Sequence, residues 1–317
     1  MTKRSTYGAI ALAFGAAITV TLSGCNVPVL SQTTKTYDEA RAAQTAALKP
    51  KVDGSSLKNQ GYLTVGLRTA RSTIPFYLAT DAGEISGIDV DVASILATEL
   101  GLKVRFVSVA STSKGLESDC DIVMDTASNS DVSGARIVGT YAEQSTAFFH
   151  KGASGAVSAA DLNGKTVGLQ GGSVSQKALG DSGLQMTQKS FDSLNDCFDA
   201  LAAGSVDYVL CDAYAGAYLA RMYNGLAFAG TIDVPQTAGV AVASTNSTLL
   251  KALGEAMGAA QMGGCLDIVR SHWIGDLPVL TAAEQVKDVP KSVSAATADD
   301  SSGGGLTVGG NAAAPPA

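Results

Sequence analysis

Few side chains in this sequence carry the chemistry of a catalyst. Its 317 residues include two histidines, His150 and His272. Neither sits in a helical metal motif, and the sequence holds no strand-to-helix GxSxG and no Walker phosphate loop. His272 stands beside Trp273 in a closing helical stretch and reads as structural, while His150 falls at a chain crossing and reads as exposed. What is present suits holding a small charged molecule. Gly171-Gly172-Ser173-Val174 forms a glycine turn that opens a helix, so unpaired backbone amides there can receive an anion, and Ser173 adds a hydroxyl. Asp212 follows an apolar run and precedes a helical stretch, a position from which Asp caps a helix. Arg68 ends the first apolar run with Arg71 close behind, and Asp125 ends another. A buried arginine tends to be paired, so Arg68 either pairs with Asp125 or faces an anionic ligand group.

The elements that must position these residues alternate. Leu63 to Leu67 reads as a strand; Ile88, Val92, Ile95, Leu96 and Leu100 recur at helical spacing, with Asp89 able to cap the start and Gly101 after the end. Val104 to Val109 and Ile122 to Met124 supply further strands. After Ser145 to His150 the rhythm restarts. Strands at Thr166 to Gln170, Gln185 to Lys189 and Val206 to Cys211 alternate with helices after the glycine turn, at Phe191 to Ala203 and at Ala213 to Met222. A last strand, Gly239 to Ala243, precedes helices at Asn246 to Met262 and Cys265 to Trp273. Such alternation predicts an α/β protein with mainly parallel sheets flanked by helices. One lobe interrupted by another, joined by two crossovers, predicts a cleft between them, where small-molecule sites concentrate.

The ends of the chain differ from its middle. Lys3 and Arg4 precede an apolar run from Gly8 to Leu22 that stops at Leu22-Ser23-Gly24-Cys25, the pattern of a lipoprotein signal peptide with a lipid-modified Cys25. Residues 1–24 are therefore expected to be the signal, 25–60 a lipid-anchored linker, and 282–317 a disordered tail rich in Ala, Ser, Gly and Pro. About 220 residues remain between them, comfortable for two lobes. The formal charge of −7, without a cationic cluster past the leader, argues against a nucleic-acid partner. Besides Cys25 there are Cys120, Cys197, Cys211 and Cys265, whose spacing fits no zinc site. Outside the cytoplasm an even number suggests disulfides, with three connectivities open. Cys197–Cys211 is favoured because each lies in one half of a helix-to-strand unit, leaving Cys120–Cys265; four buried thiols is the alternative.

The string GIDVDVASILATEL, Gly87 to Leu100, resembles the pattern of the bacterial family 3 extracellular solute-binding proteins, as do in order LTVGLR, IPF, CDIVMDTASNS, DLNGKTVGLQGGS, ALAAGSVDYVLCD, AGVAV and HWIG. This resemblance spans about Gly61 to Gly275. It implies a type II periplasmic-binding-protein fold with one lobe of 61–145 plus 239–281 and the other of 146–238. It also implies capture of a small polar ligand, most often an amino acid, for an ABC-transporter permease, with the receptor outside the cytoplasm, anchored to the membrane through lipid on Cys25 and using no cofactor or metal.

The family pattern assigns roles residue by residue. Asp212 would neutralise the ligand ammonium, Gly172 and Ser173 would bind its carboxylate, Thr126 and Ser128 would add hydrogen bonds from the first lobe, and Phe76 or Tyr77 would be the stacking platform. Buried ligand charges need such partners, since an unpaired buried charge costs several kcal/mol. The sequence departs from the pattern where the family's carboxylate-clamping arginine would stand, because Ser133 occupies that position and Arg136 lies three residues on. The segment Ala110 to Asp119 is short and lacks the usual covering aromatic. Arg68 stands where many relatives have an acid or a small polar residue, which would favour an anionic ligand group unless Asp125 takes it. A dehydratase or lytic transglycosylase on the same fold would need a carboxylic acid in the cleft, for which Asp125 and Asp212 are the candidates; a sensor ectodomain is the third class.

Overall fold

The computed structural model describes residues 48–69 and 74–291. The expected signal peptide, Cys25, most of the linker, Arg71 and residues 292–317 lie outside that range. The chain first forms β1 (Tyr62–Leu67), a short hairpin of β2 (Leu78–Ala79) and β3 (Ile85–Ser86), α1 (Ile88–Glu99), β4 (Lys103–Ser108), β5 (Ile122–Ala127) and β6 (Ala135–Gln144). It then crosses to β7 (Thr146–Lys151), β8 (Thr166–Gln170), α2 (Val174–Ser182), β9 (Thr187–Phe191), α3 (Leu194–Ala202), β10 (Tyr208–Asp212), α4 (Ala213–Ala220) and β11 (Leu226–Thr231). The return gives β12 (Gln236–Ala243), α5 (Ser247–Met262) and α6 (Cys265–Ile274).

Two five-stranded sheets result, ordered β4-β1-β5-β12-β6 and β11-β7-β10-β8-β9. In the first, β4, β1 and β5 are parallel and the returning β12 runs against both β5 and β6. In the second, β10, β8 and β9 are parallel and the entering β7 runs against β10 and β11. Their interior strands are apolar on both faces because helices cover both sides, as in β5 and β10. This is the expected two-lobed α/β architecture, with the carboxyl ends of the parallel strands available to form a site.

The start of α1 is shaped by close approach. Gly87 has φ 130°, and a Cβ there would lie 2.2 Å from the Phe76 carbonyl oxygen. Only glycine lets the loop carrying Phe76 lie across the helix end, where the Asp89 amide donates to that carbonyl at 3.1 Å. Asp89 is not the cap; Gly87 holds that position without a side-chain bond, and the Asp89 carboxyl is buried.

Several boundaries differ from expectation. Residues 48–60 belong to the folded unit: Val52 is buried, the Lys51 amide donates to the Leu100 carbonyl at 2.9 Å, and the Lys58 amide donates to Asp121 Oδ1 at 2.7 Å. Residues 236–238 already belong to β12 of the first sheet. At the other end the chain stays ordered through 291. Ala282–Glu284 forms a 3₁₀ turn, the Val286 amide donates to Thr231 at 2.8 Å, and the Lys291 amide donates to Ser182 at 2.9 Å. Val286 is buried in the core of the second lobe, so residues 276–291 form a third crossing between lobes. β6 and β11 were not anticipated. β6 is largely half-exposed and broken by register shifts, so it shows no strict alternation.

The expected disulfides are corrected: Cys120, Cys197, Cys211 and Cys265 are all free thiols. The Cys197 Sγ–H turns back along its own helix to the Ser193 carbonyl at 3.3 Å, and Cys120 packs as a small apolar group among Val109, Leu116 and Val123. Cys265 opens α6 half-buried, outside that cluster. Burial pushes the Cys120 and Cys197 thiols up to about 12, and that of Cys211 well above its usual value, so all three stay protonated.

Candidate functional site

The site begins at the ends of β1 and β5, which run parallel with Val65 beside Ile122 and Gly66 beside Val123. Continuing that register sets Arg68 beside Asp125. Between Val123 and Thr126, β5 places two residues opposite one residue of β12, a bulge that re-aims the side chain. Asp125 there has φ 50°, a left-handed conformation that costs energy for a non-glycine residue and often marks function. Its amide donates to the Tyr141 hydroxyl at 2.7 Å, and its Oδ1 accepts from Gln144 Nε2 at 2.9 Å. Arg68 Nη2 donates to the Asp125 carbonyl and lies 3.6 Å from Oδ2. The sequence left open whether Arg68 meets a ligand or Asp125; the structure pairs it with Asp125.

Behind this pair the Tyr141 hydroxyl donates to Asp89 Oδ1 at 2.6 Å. Burial first, then the charge of Asp125, pushes the Asp89 carboxyl well above the ordinary carboxylate range.

From the second lobe, Asp212 ends β10 opposite Thr146 and begins α4. Its Oδ1 accepts from the Ala215 amide at 2.8 Å, so the capping role is in place. Burial, more than the neighbouring charges of Asp125 and Asp233, pushes its carboxyl up to about 6. Asp125 and Asp212 thus influence one another from different lobes.

The glycine turn caps α2 as the sequence indicates: Ser173 Oγ accepts from the Gln176 amide at 3.2 Å. The Gly172 amide is already taken by Gln176 Oε1 at 2.8 Å, which leaves the amides of Val174 and Ser175 as the donors at this helix end without an acceptor among the described residues. Thr126 is buried with its hydroxyl 3.5 Å from that of Thr112. Ser128 is exposed, its hydroxyl 2.6 Å from that of Thr237 on β12. Phe76 is buried and stacks on Tyr214, ring centroids 5.1 Å apart, so its face meets the other lobe. Ser133 and the exposed Arg136 lie toward the opposite end of β5, since Arg136 pairs with Val242 and Val242 with Ile122, at the start of that strand. Arg136 therefore does not replace the missing clamp. His150 stacks on Tyr208 and His272 packs edge-on to Trp273. No group of three metal-ligating side chains occurs among the described residues.

Sequence reasoning missed the clasp between crossings. Buried Asp233 accepts from the Ser145 hydroxyl and, at 3.1 Å, from the Thr146 amide. It also missed the inter-lobe tie in which Arg270 Nη1 donates to Glu143 Oε2 at 2.9 Å and to the Tyr214 hydroxyl at 2.5 Å. Asp233, two residues before Pro235 in a short linker between strands, carries no local signal of burial.

The profile of the family described as "Bacterial extracellular solute-binding proteins, family 3" matches residues 63–276. The chain belongs to this family. A relative, the L-cystine-binding protein TcyJ of Escherichia coli (strain K12), is 27% identical over 239 residues, covering 70% of this chain and 85% of the relative. Among solved structures, a substrate-binding protein of a polar amino acid ABC uptake transporter from Streptococcus thermophilus aligns with TM-score 0.61 at 19% identity, over 70% of this chain and 88% of that one. The L-cystine solute receptor of Neisseria gonorrhoeae, in its unliganded open conformation, aligns with TM-score 0.59 at 19% identity, over 73% and 97%. These likenesses give the type II periplasmic-binding-protein fold. No helix among the described residues is long and apolar enough to cross a membrane.

Proposed function

We propose that this family 3 protein captures a free amino acid between its lobes and presents it, chemically unchanged, to the permease of an ABC importer. The observation that carries the reading is Asp212, a desolvated carboxylate at the carboxyl end of β10 with its charge poorly compensated. An α-ammonium would supply the missing partner, and the first-turn amides of α2 suit the α-carboxylate. The cystine and amino-acid relatives support this class of ligand.

Asp212→Asn keeps a cap for α4 but removes the charge. Its affinity for the best amino acid in a thermal-shift screen should fall about 100-fold, the usual cost of deleting one partner of a buried charge pair. Titration calorimetry giving wild-type affinity would remove Asp212 from the site, and recovery of an altered ligand would exclude simple capture. The leader supports tethering through lipid on Cys25. Cys25→Ala should then leave the protein in the soluble fraction of cells, and retention in membranes would refute the anchor.

A further inference from the structure

A cavity of about 290 Å³ lies away from the candidate site, where the carboxyl-terminal end of α4 meets the end of α6. Asp212 caps the opposite end of α4, about 12 Å distant along a helix of eight residues. The walls of the cavity are Phe149 of β7, Leu226 and Phe228 of β11, Ala217 of α4, Ile274 of α6 and Leu277 just beyond it. Such walls take an apolar side chain, and the volume stands at the low end for small-molecule pockets.

Opposite charges flank this apolar floor. Arg221 Nη1 donates to the His272 carbonyl, and the Arg221 stem lies over Gly275, where a Cβ would come within 3.3 Å of Arg221 Cδ. The guanidinium is thereby fixed at the end of α6, with its other donors meeting no acceptor among the described residues. Asp276 follows Gly275 directly, lines the same cavity and is exposed. No ion pair joins it to Arg221, and its carboxylate accepts no hydrogen bond among the described residues.

The charges select as well as attract. An acid without an amine would bring its carboxylate up to Asp276, and an amine without a carboxylate would face Arg221. Either end of a peptide carries one of these charges and lacks the other. A free amino acid carries both on one carbon. Its carboxylate suits the guanidinium fork, its ammonium suits Asp276, and an apolar side chain fills the floor between Phe149 and Phe228.

We propose that this cavity is a second ligand site, separate from the cleft, that takes a free amino acid with an aromatic or branched apolar side chain. It goes beyond capture in the cleft and does not depend on it.

The test is calorimetry on the intact protein carrying Asp212→Asn, which disables the cleft, with three probes: L-phenylalanine, 3-phenylpropionate, which lacks the ammonium, and phenethylamine, which lacks the carboxylate. One phenylalanine per chain should bind, at least about tenfold tighter than either analogue, an increment typical of one well-placed charge-assisted contact. Adding Asp276→Asn, a change at an exposed side chain, should weaken phenylalanine about tenfold with the melting temperature unchanged. The same loss should appear when Asp276→Asn is made in the wild-type chain, where the cap of α4 is intact. Absence of phenylalanine binding overturns the site, as does an analogue that binds as tightly as phenylalanine, or an affinity that Asp276→Asn leaves intact.

Discussion

Asp212 and Asp233 share an unusual property: each is desolvated, and burial pushes each carboxyl up to about 6 from an ordinary 3.8. A carboxyl whose folded pKa is raised binds its proton more tightly in the folded state. The stability it contributes is complete below pH 3.8 and is lost as pH rises through about 6. Asp233→Asn keeps the acceptor for Ser145 and Thr146 but cannot ionise. Its melting temperature should therefore gain on wild type as pH rises from 4.5 to 7, in calorimetric scans of both proteins. A difference that stays flat across that range would show that Asp233 is ionised at no cost. At the candidate site, the capping roles of Ser173 and Asp212 were legible because strand-to-helix turns have local signatures, whereas the Gly172 amide, expected to face a ligand, is taken by Gln176. The pairing of Arg68 was legible only as an alternative, since it depends on a bulge that brings Asp125 round. Tyr141, Gln144 and Asp233 were not legible, because each meets its partner through strand pairing or a crossing distant in sequence.

At the scale of elements, the regular βα units could be read nearly residue by residue: the strand Thr166–Gln170 matches its expected span, the helix beginning at Cys265 runs one residue past its expected end at Trp273, and the periodic apolar stripe of α1 was plain. What failed was whatever lacked a stripe. β6 is half-exposed, and the segment 276–291 is polar enough to read as a tail, yet it places one well-chosen residue. Val286 is 3% exposed and packs with the second-lobe core against Gly230 of β11. A Cβ on Gly230 would come within 3.0 Å of the Val286 side chain. The strap therefore binds through apolar burial as well as through its main-chain bonds. Val286→Ala should lower unfolding stability by about 1 to 2 kcal/mol, the value of two buried methyl groups. Val286→Asp should release the segment altogether. Amide exchange on residues 285–291 measures this directly; protection unchanged in Val286→Asp would mean that the main-chain bonds suffice.

Across the whole molecule, the question is where the two lobes pivot. Three segments join them, at Gln144–Thr146, at Thr231–Gln236 and at 276–285, and a continuous apolar cluster also runs between the sheets. Every residue of α4 is buried. Phe76 stacks on Tyr214, Trp273 on Tyr218, and the Tyr214 hydroxyl joins Glu143 and Arg270. Opening the cleft by parting this seam would expose its aromatic faces to water and strip a buried ion pair, a cost that ligand contacts would have to recover on closing. Rotation about the seam, with α4 kept against the first lobe, avoids that cost. A contact retained in both the open and the closed state contributes to folding stability and leaves the equilibrium between them untouched. Tyr214→Phe preserves the stack and deletes the hydroxyl, so it should cost about 1 to 3 kcal/mol of stability through the unsatisfied Glu143–Arg270 partners. Ligand affinity should stay at the wild-type value. Melting scans and calorimetry on the same variant separate the alternatives: weakened binding with an unchanged melting temperature would place the seam among the contacts made only on closure and move the pivot elsewhere.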